Sequence, residues 1–288
     1  MPHSLLHHCG THDLKKNMSK TKLMMGKRGL VFGVANDHSI AWGIAKAAAE
    51  NGAELAFTYQ GEGFAKRVIP LAKSLDSKVI LSCDVGDDVS IDSVFNEIKE
   101  AWGNLDFLVH SVAYSDKDEL TGKYLDTSRD NFNKTLDISC FSFTTLANKA
   151  AKLMPNGGSL VTLTYSGAER VMPNYNVMGV AKAALEASVK YLAVDLGPAD
   201  IRVNAISAGP MRTLAGSAVG GARQVYKWNE EYSPLRKNIL LDDVGGAGLY
   251  LLSDLSSGVT GEVVHVDAGY NVVGVPDLLR HRETSIKD

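Results

Sequence analysis

Short runs of aliphatic and β-branched residues alternate with longer stretches of helical periodicity from Arg28 onward. The runs cover 28–34 (RGLVFGV), 53–59, 78–83, 105–111, 158–164, 201–207 and 262–267, and the helical stretches 39–51, 62–75, 88–102, 127–154, 175–196 and 241–253. Several runs are almost wholly apolar, as strands are when helices cover both faces; half-exposed antiparallel strands alternate instead. The alternation predicts βαβ units with right-handed crossovers, and hence an α/β fold: one doubly wound, seven-stranded parallel sheet with helices on both faces. Residues 1–25 have no apolar periodicity and are read as a disordered or loosely attached extension. No repeat or linker divides 26–288, which is expected to be a single domain.

Composition narrows the function. The chain has 288 residues, 45% of them hydrophobic and 22% charged, with a formal charge of -3. No broad basic surface follows, so nucleic acid and anionic membrane are poor partners and a small-molecule enzyme fits better. Cys9, Cys83 and Cys140 are too few and scattered for a disulfide framework or zinc ribbon, which points to a reducing cytoplasm. No stretch approaches the ~18 apolar residues of a membrane span, and charge and histidine occupy the place of a secretory core. His7, His8, Cys9 and His12 match no zinc spacing, so no metal is expected.

The first strand runs into Gly33-Val34-Ala35-Asn36-Asp37-His38-Ser39-Ile40 and a helix. A dinucleotide-binding, Rossmann-like fold puts its pyrophosphate there: Gly33 allows close backbone approach, Ser39 can cap the helix, and the helix start at Ile40 favours negative charge. The G-x-G-x-x-G spacing is absent, and a strand-to-helix turn without a ligand looks similar. Later strand ends add to the signal, because ligands of open α/β sheets lie beyond the carboxyl ends of the strands. They carry Gln60, then Asp84 and Val85, then Ser111, Val112 and Ala113. Asp84 and Val85 suit an adenine, although Asp84 reads equally well as a turn residue. Ser111 and Val112 suit a ribose.

The segment from Thr162 to Lys182 carries the chemistry. It contains Tyr165-Ser166-Gly167 and Tyr175-Asn176-Val177-Met178-Gly179-Val180-Ala181-Lys182, and is followed by RVNAISAGPMRTLA and DVGGAGLYLLSDLSSGVTGEVVHVDAGY. Together these resemble the short-chain dehydrogenase/reductase superfamily, and more narrowly the bacterial type I enoyl-acyl-carrier-protein reductases, from about Gly26 to Tyr270. The wider superfamily places a tyrosine four residues before its lysine; here that position is Met178. Tyr175 instead precedes Lys182 by seven residues, two helical turns on one face and about 10 Å along the axis. A displaced phenol suits an enoyl thioester, whose charge develops on an oxygen remote from the carbon that takes hydride.

The resemblance implies catalytic Tyr165, Tyr175 and Lys182, with Lys182 also on the nicotinamide ribose. It further implies cofactor contacts at Met211, Thr213, Leu214 and Ala215, and substrate contacts at Ala113, Ser115, Tyr165 and Tyr175. Residues near 214–236 are expected to form a substrate lid, the partner to be an acyl-carrier protein, and the assembly a homotetramer. Arg223 and Lys227 are the basic residues available for carrier docking, in a stretch with Gly220 and Gln224. Two other readings stay open: a carbonyl or hydroxysteroid-type reductase, against which Met178 stands, and a non-catalytic nucleotide-binding relative. Cofactor choice rests on Gln60, a neutral partner for a ribose hydroxyl where a 2′-phosphate wants Arg or Lys; Lys66 and Arg67 fall inside a predicted helix. The kcat/KM ratio should therefore favour NADH over NADPH, and a clear NADPH preference would refute this reading of Gln60.

Overall fold

The computed structural model describes residues 22–217 and 220–275. Seven parallel strands, β1 (Arg28–Phe32), β2 (Glu54–Tyr59), β3 (Val79–Ser82), β4 (Phe107–His110), β5 (Gly158–Thr164), β6 (Ile201–Ala208) and β7 (Val263–Val266), form one sheet in the order β3-β2-β1-β4-β5-β6-β7. The order reverses at β1, whose Phe32 pairs with His110 of β4 and whose Val31 pairs with Phe57 of β2. A crevice opens at such a reversal beyond the strand ends.

The apolar runs bury both faces with a period of two. Leu30, Phe32, Leu108, Leu160 and Val203 enter one core, packed with α3 (Asp88–Trp102), α6 (Ser142–Ala151) and α7 (Asn176–Leu196). Val31, Phe57, Val109, Val161, Leu163 and Ile206 enter the other, with α1 (Ile40–Glu50), α2 (Gly61–Ser74) and α10 (Leu241–Leu252). The expected layers are therefore present, with strand ends trimmed by a residue or two.

Several expectations change. The helix predicted over 127–154 is α5 (Arg129–Leu136), then a π turn at Asp137–Phe141, then α6. Apolar periodicity runs through all three, so the inserted turn leaves no mark in it. The helix predicted from 175 begins at Asn176, with Tyr175 at its N-cap, so the simple helical rise from Tyr175 to Lys182 does not hold at its first step. The expected lid contains helices, α8 (Leu214–Ser217) and α9 (Ala222–Tyr232), where the sequence suggested a loop. A further short helix, α4 (Lys117–Leu120), follows β4. Finally, the fold starts before residue 26: Met24 is fully buried in the core, and its N–H donates to the Asn51 carbonyl. Residues 1–21, including His7, His8, Cys9 and His12, lie outside the described residues, as do 218, 219 and 276–288.

Among the described residues no cluster of three or more His, Cys, Asp or Glu could hold a metal ion. No described helix is long and apolar enough to cross a membrane.

Candidate active site

Gly33 follows β1 with φ +94°, a left-handed conformation that glycine adopts without penalty. A Cβ there would lie 2.0 Å from the Ser111 carbonyl oxygen, so only glycine lets the loop pass so close to the end of β4. Ser39 occupies the N-cap position of α1 and is buried, but it does not cap the helix as expected. Its Oγ faces back into the loop, accepting from Ala35 N at 3.0 Å and Asn36 N at 3.1 Å. That fixes the loop and leaves the first turn of α1, at Ile40, without a side-chain cap. A narrow glycine cradle beside an uncapped helix start fits a pyrophosphate.

The remaining strand ends line the same edge. Gln60 is exposed at the N-cap of α2 and makes no cap bond of its own. Asp84 is exposed and accepts from Gly86 N at 3.0 Å, the turn role that the sequence left open, while Val85 packs against the core. Ser111 N donates to the Phe32 carbonyl at 3.1 Å, and Val112 is half-buried beside it. Ala113 is exposed. The Ser115 hydroxyl is engaged by Asn131 and Thr135 of α5. Beyond β6, Met211 packs on the core, Thr213 Oγ1 accepts from Gly216 N at 2.9 Å, and Leu214 and Ala215 begin α8.

The two tyrosines meet. Tyr165 and Tyr175 stack edge to face, ring centroids 5.2 Å apart at 69°. Tyr175 is held by a bend the residue types encode: Asn174 and Asn176 flank it at φ +60° and +37°, and asparagine tolerates that region better than most side chains. Gly167 supplies the seat, since a Cβ there would lie 2.4 Å from the Tyr175 ring. Burial raises both phenols, Tyr165 to about 12 and Tyr175 further, so both remain protonated donors at neutral pH. Met178 is buried in a small apolar cluster with Leu120, Val177 and Ala181, against which Tyr175 also packs.

Lys182 is buried in the second turn of α7, and its Nζ donates to the Leu163 carbonyl at 2.7 Å. Glu186, one turn further on, accepts from Thr164 Oγ1 at 2.6 Å; burial raises its pKa. The last residues of β5 thus tie the lysine, the glutamate and Tyr165 together. Gly167, Asn174, Leu163 and Glu186 were all missed as site residues. Gly167 and Asn174 lie within the informative segment, but their roles depend on close approach and backbone angle, which the sequence does not display.

A family model described as Enoyl-(Acyl carrier protein) reductase matches residues 33–271. An NADH enoyl-[acyl-carrier-protein] reductase of Rhizobium meliloti is 62% identical over 256 residues, covering 89% of this chain and 96% of that protein. One from Rickettsia typhi is 55% identical over 259 residues, covering 90% and 99%. The crystal structure of an enoyl-(acyl-carrier-protein) reductase from Anaplasma phagocytophilum, in complex with NAD, superposes with a TM-score of 0.87 at 61% identity, covering 91% of this chain and all of that one.

The buried ammonium has an energetic signature. Burial lowers the Lys182 pKa to about 8, with Cys140 and Glu186 offsetting part of the fall. Below pH 8 the folded and unfolded chains both carry the charge and folding bears its full desolvation. Between pH 8 and the ordinary lysine value the folded state gives up its proton first, so the penalty fades as pH rises. Lys182→Met should therefore raise Tm at pH 7, by an amount corresponding to on the order of 3 kcal/mol, with the gain shrinking toward pH 10. Thermal unfolding of the two proteins across that range checks this; a variant less stable than wild type at pH 7 would contradict it.

Proposed function

The chain belongs to the enoyl-acyl-carrier-protein reductase family, and we propose from that premise that it reduces trans-2-enoyl thioesters of acyl-carrier protein to saturated acyl thioesters. The reductant is NADH, and the reaction serves the elongation cycle of fatty-acid biosynthesis in the cytoplasm. The observation that carries this reading is the edge-on Tyr165–Tyr175 pair beside the β5 segment that holds Lys182, with an apolar methionine buried at position 178. A carbonyl reductase would need its phenol at position 178.

The glycine cradle at Gly33 and the first turn of α1 at Ser39 and Ile40 would hold the pyrophosphate. Asp84 and Val85 would flank the adenine, and Gln60, Ser111 and Val112 the ribose side; Met211, Thr213, Leu214 and Ala215 would enclose the nicotinamide end. NADH, when bound, supplies the hydride for the β-carbon. The protein's task is the charge that then develops on the thioester oxygen. Tyr175 donates a hydrogen bond to that oxygen, and its raised pKa keeps the proton on the phenol, so the donor is always present. Lys182 would hold the ribose hydroxyls of the cofactor and supply a positive charge to the site. Tyr165 walls the acyl pocket, with Ala113 and the main chain of Ser115 opposite.

We place the carrier protein against α9, which presents Arg223 and Lys227 and where Arg212 stacks over Tyr226 at 4.7 Å. The working assembly is a homotetramer. Its outward α7 face leaves Tyr191 and Val194 about three-quarters exposed, and Phe141 of the π turn is also exposed; apolar surface of this kind pairs across two-fold axes. Sedimentation at micromolar concentration should show the tetramer, and a monomer there would refute it.

NADH oxidation with crotonyl and longer 2-enoyl thioesters, beside a ketone control, tests the activity; turnover of the ketone alone would overturn it. Within that assay Tyr175→Phe should lower kcat by about 10²-fold while leaving NADH affinity near wild type, because the lost donor acts on charge formed in the transition state. Lys182→Ala should weaken NADH binding together with turnover. Equal loss of NADH affinity in both variants would mean that the two roles are misassigned.

A further inference from the structure

His110 ends β4 and has no part in the chemistry above. It is fully buried, paired across the sheet with Thr162 of β5 and lying against Phe143. Its Nδ1 is 2.7 Å from Thr162 Oγ1 and its Nε2 is 2.9 Å from Ser142 Oγ. Ser142 Oγ also lies 2.7 Å from the Ile138 carbonyl, which can only accept, so the one hydroxyl hydrogen of Ser142 is committed there. Ser142 must then accept from Nε2–H, which leaves Nδ1 bare to accept from the Thr162 hydroxyl. The hydrogen bonds run one way, from β5 through the imidazole to a carbonyl inside the π turn. His110 stays neutral throughout: burial, helped by the charge of Lys182, holds its pKa down to about 3.

The π turn is the element so held. Ser142 N reaches back five residues to the Asp137 carbonyl, and the turn buries Ser139 and Cys140. Ser139 Oγ accepts from Tyr114 N at 3.0 Å and donates to the Tyr114 carbonyl at 3.1 Å. One buried hydroxyl thus grips both peptide groups of the residue between Ala113 and Ser115. Ser111, by contrast, is fixed independently, by its bond to Phe32 and its contact with Gly33.

We propose that Thr162, His110 and Ser142 are positioning residues for the enoyl substrate, locking the π turn so that Ser139 holds the main chain of residues 113–115 in place. The proposal rests on the reading that this main chain faces the substrate. It separates two functions that share one loop: the lock governs the substrate half and spares the nucleotide half.

The test uses the full-length chain and two independent readouts. In Ser142→Ala, amide exchange of the ligand-free protein should quicken about tenfold at Tyr114 and its neighbours, the worth of one net hydrogen bond, with the amides of β5 unchanged. In steady state the same variant should raise KM for a crotonyl thioester and lower kcat, about tenfold in kcat/KM, with NADH affinity unchanged. A merely destabilised enzyme would instead lose kcat with its folded fraction and keep both KM values. His110→Gln, which retains a donor toward Ser142, should recover part of what His110→Phe loses, with the wild-type pH profile, since no imidazole titrates in either protein. Should Ser142→Ala not fold, Thr162→Val, nearly isosteric, serves the same measurements. Unchanged Tyr114 exchange in a folded variant, or NADH affinity falling in step with kcat/KM, would overturn the proposal. If wild type itself reduced no enoyl thioester, the failure would lie with the proposed function, while the exchange measurement would still judge the lock.

Discussion

A positive charge taken out of water is the constraint around which this structure is arranged. Lys182 is 6% exposed, and an ammonium so placed must be met by acceptors or give up its proton. The sheet supplies one acceptor, the Leu163 carbonyl near the carboxyl end of β5, and Glu186 supplies nearby negative charge. Both depend on β5 lying in register beside β4 and β6 and on α7 packing across it. The charge is affordable only in the finished fold, and the finished fold puts it where a reaction that builds negative charge can use it.

The polar interior near the site follows the same rule. His110, Thr162, Ser139 and Ser142 are all essentially buried, and each finds its partner among the others or on the main chain. A half-satisfied network in that position would cost more than an apolar one. Completed, it selects one geometry for the π turn, and π turns recur at functional sites because the extra residue re-aims the side chains around it.

The layers of the fold were legible because burial on both faces writes itself into the strands as continuous apolar runs, as in RGLVFGV. The placement of Gly33, Tyr165, Tyr175 and Lys182 at one edge of the sheet was legible for a related reason: each stands at a strand end or a helix start. The π turn was not, since Asp137-Ile138-Ser139-Cys140-Phe141 contains no glycine or proline to mark a break and only the hydrogen-bond register departs. Nor was the direction of Ser39, because a serine before a helix can turn toward either the helix or the loop, and the choice depends on how closely Gly33 draws that loop to β4. His110 reads in sequence as one more residue of an apolar run; its partners lie on β5 and α6, beyond the reach of any local pattern.

The strand order has a kinetic side. Between β1 and β4 the chain passes through β2, β3 and the helices between them, and between Gly158 of β5 and its partner Ile201 of β6 it passes through all of α7. Contacts so distant along the chain carry loop-closure entropy that must be met before they reward it, so parallel sheets of this kind form slowly. A nascent chain ending after β3 holds β1 with its β4-facing edge bare, an apolar strand open to any other chain. The crevice between β1 and β4, where the nucleotide would lie, thus joins segments distant in the chain, and a ligand that bridges it would stabilise the folded population against the open one.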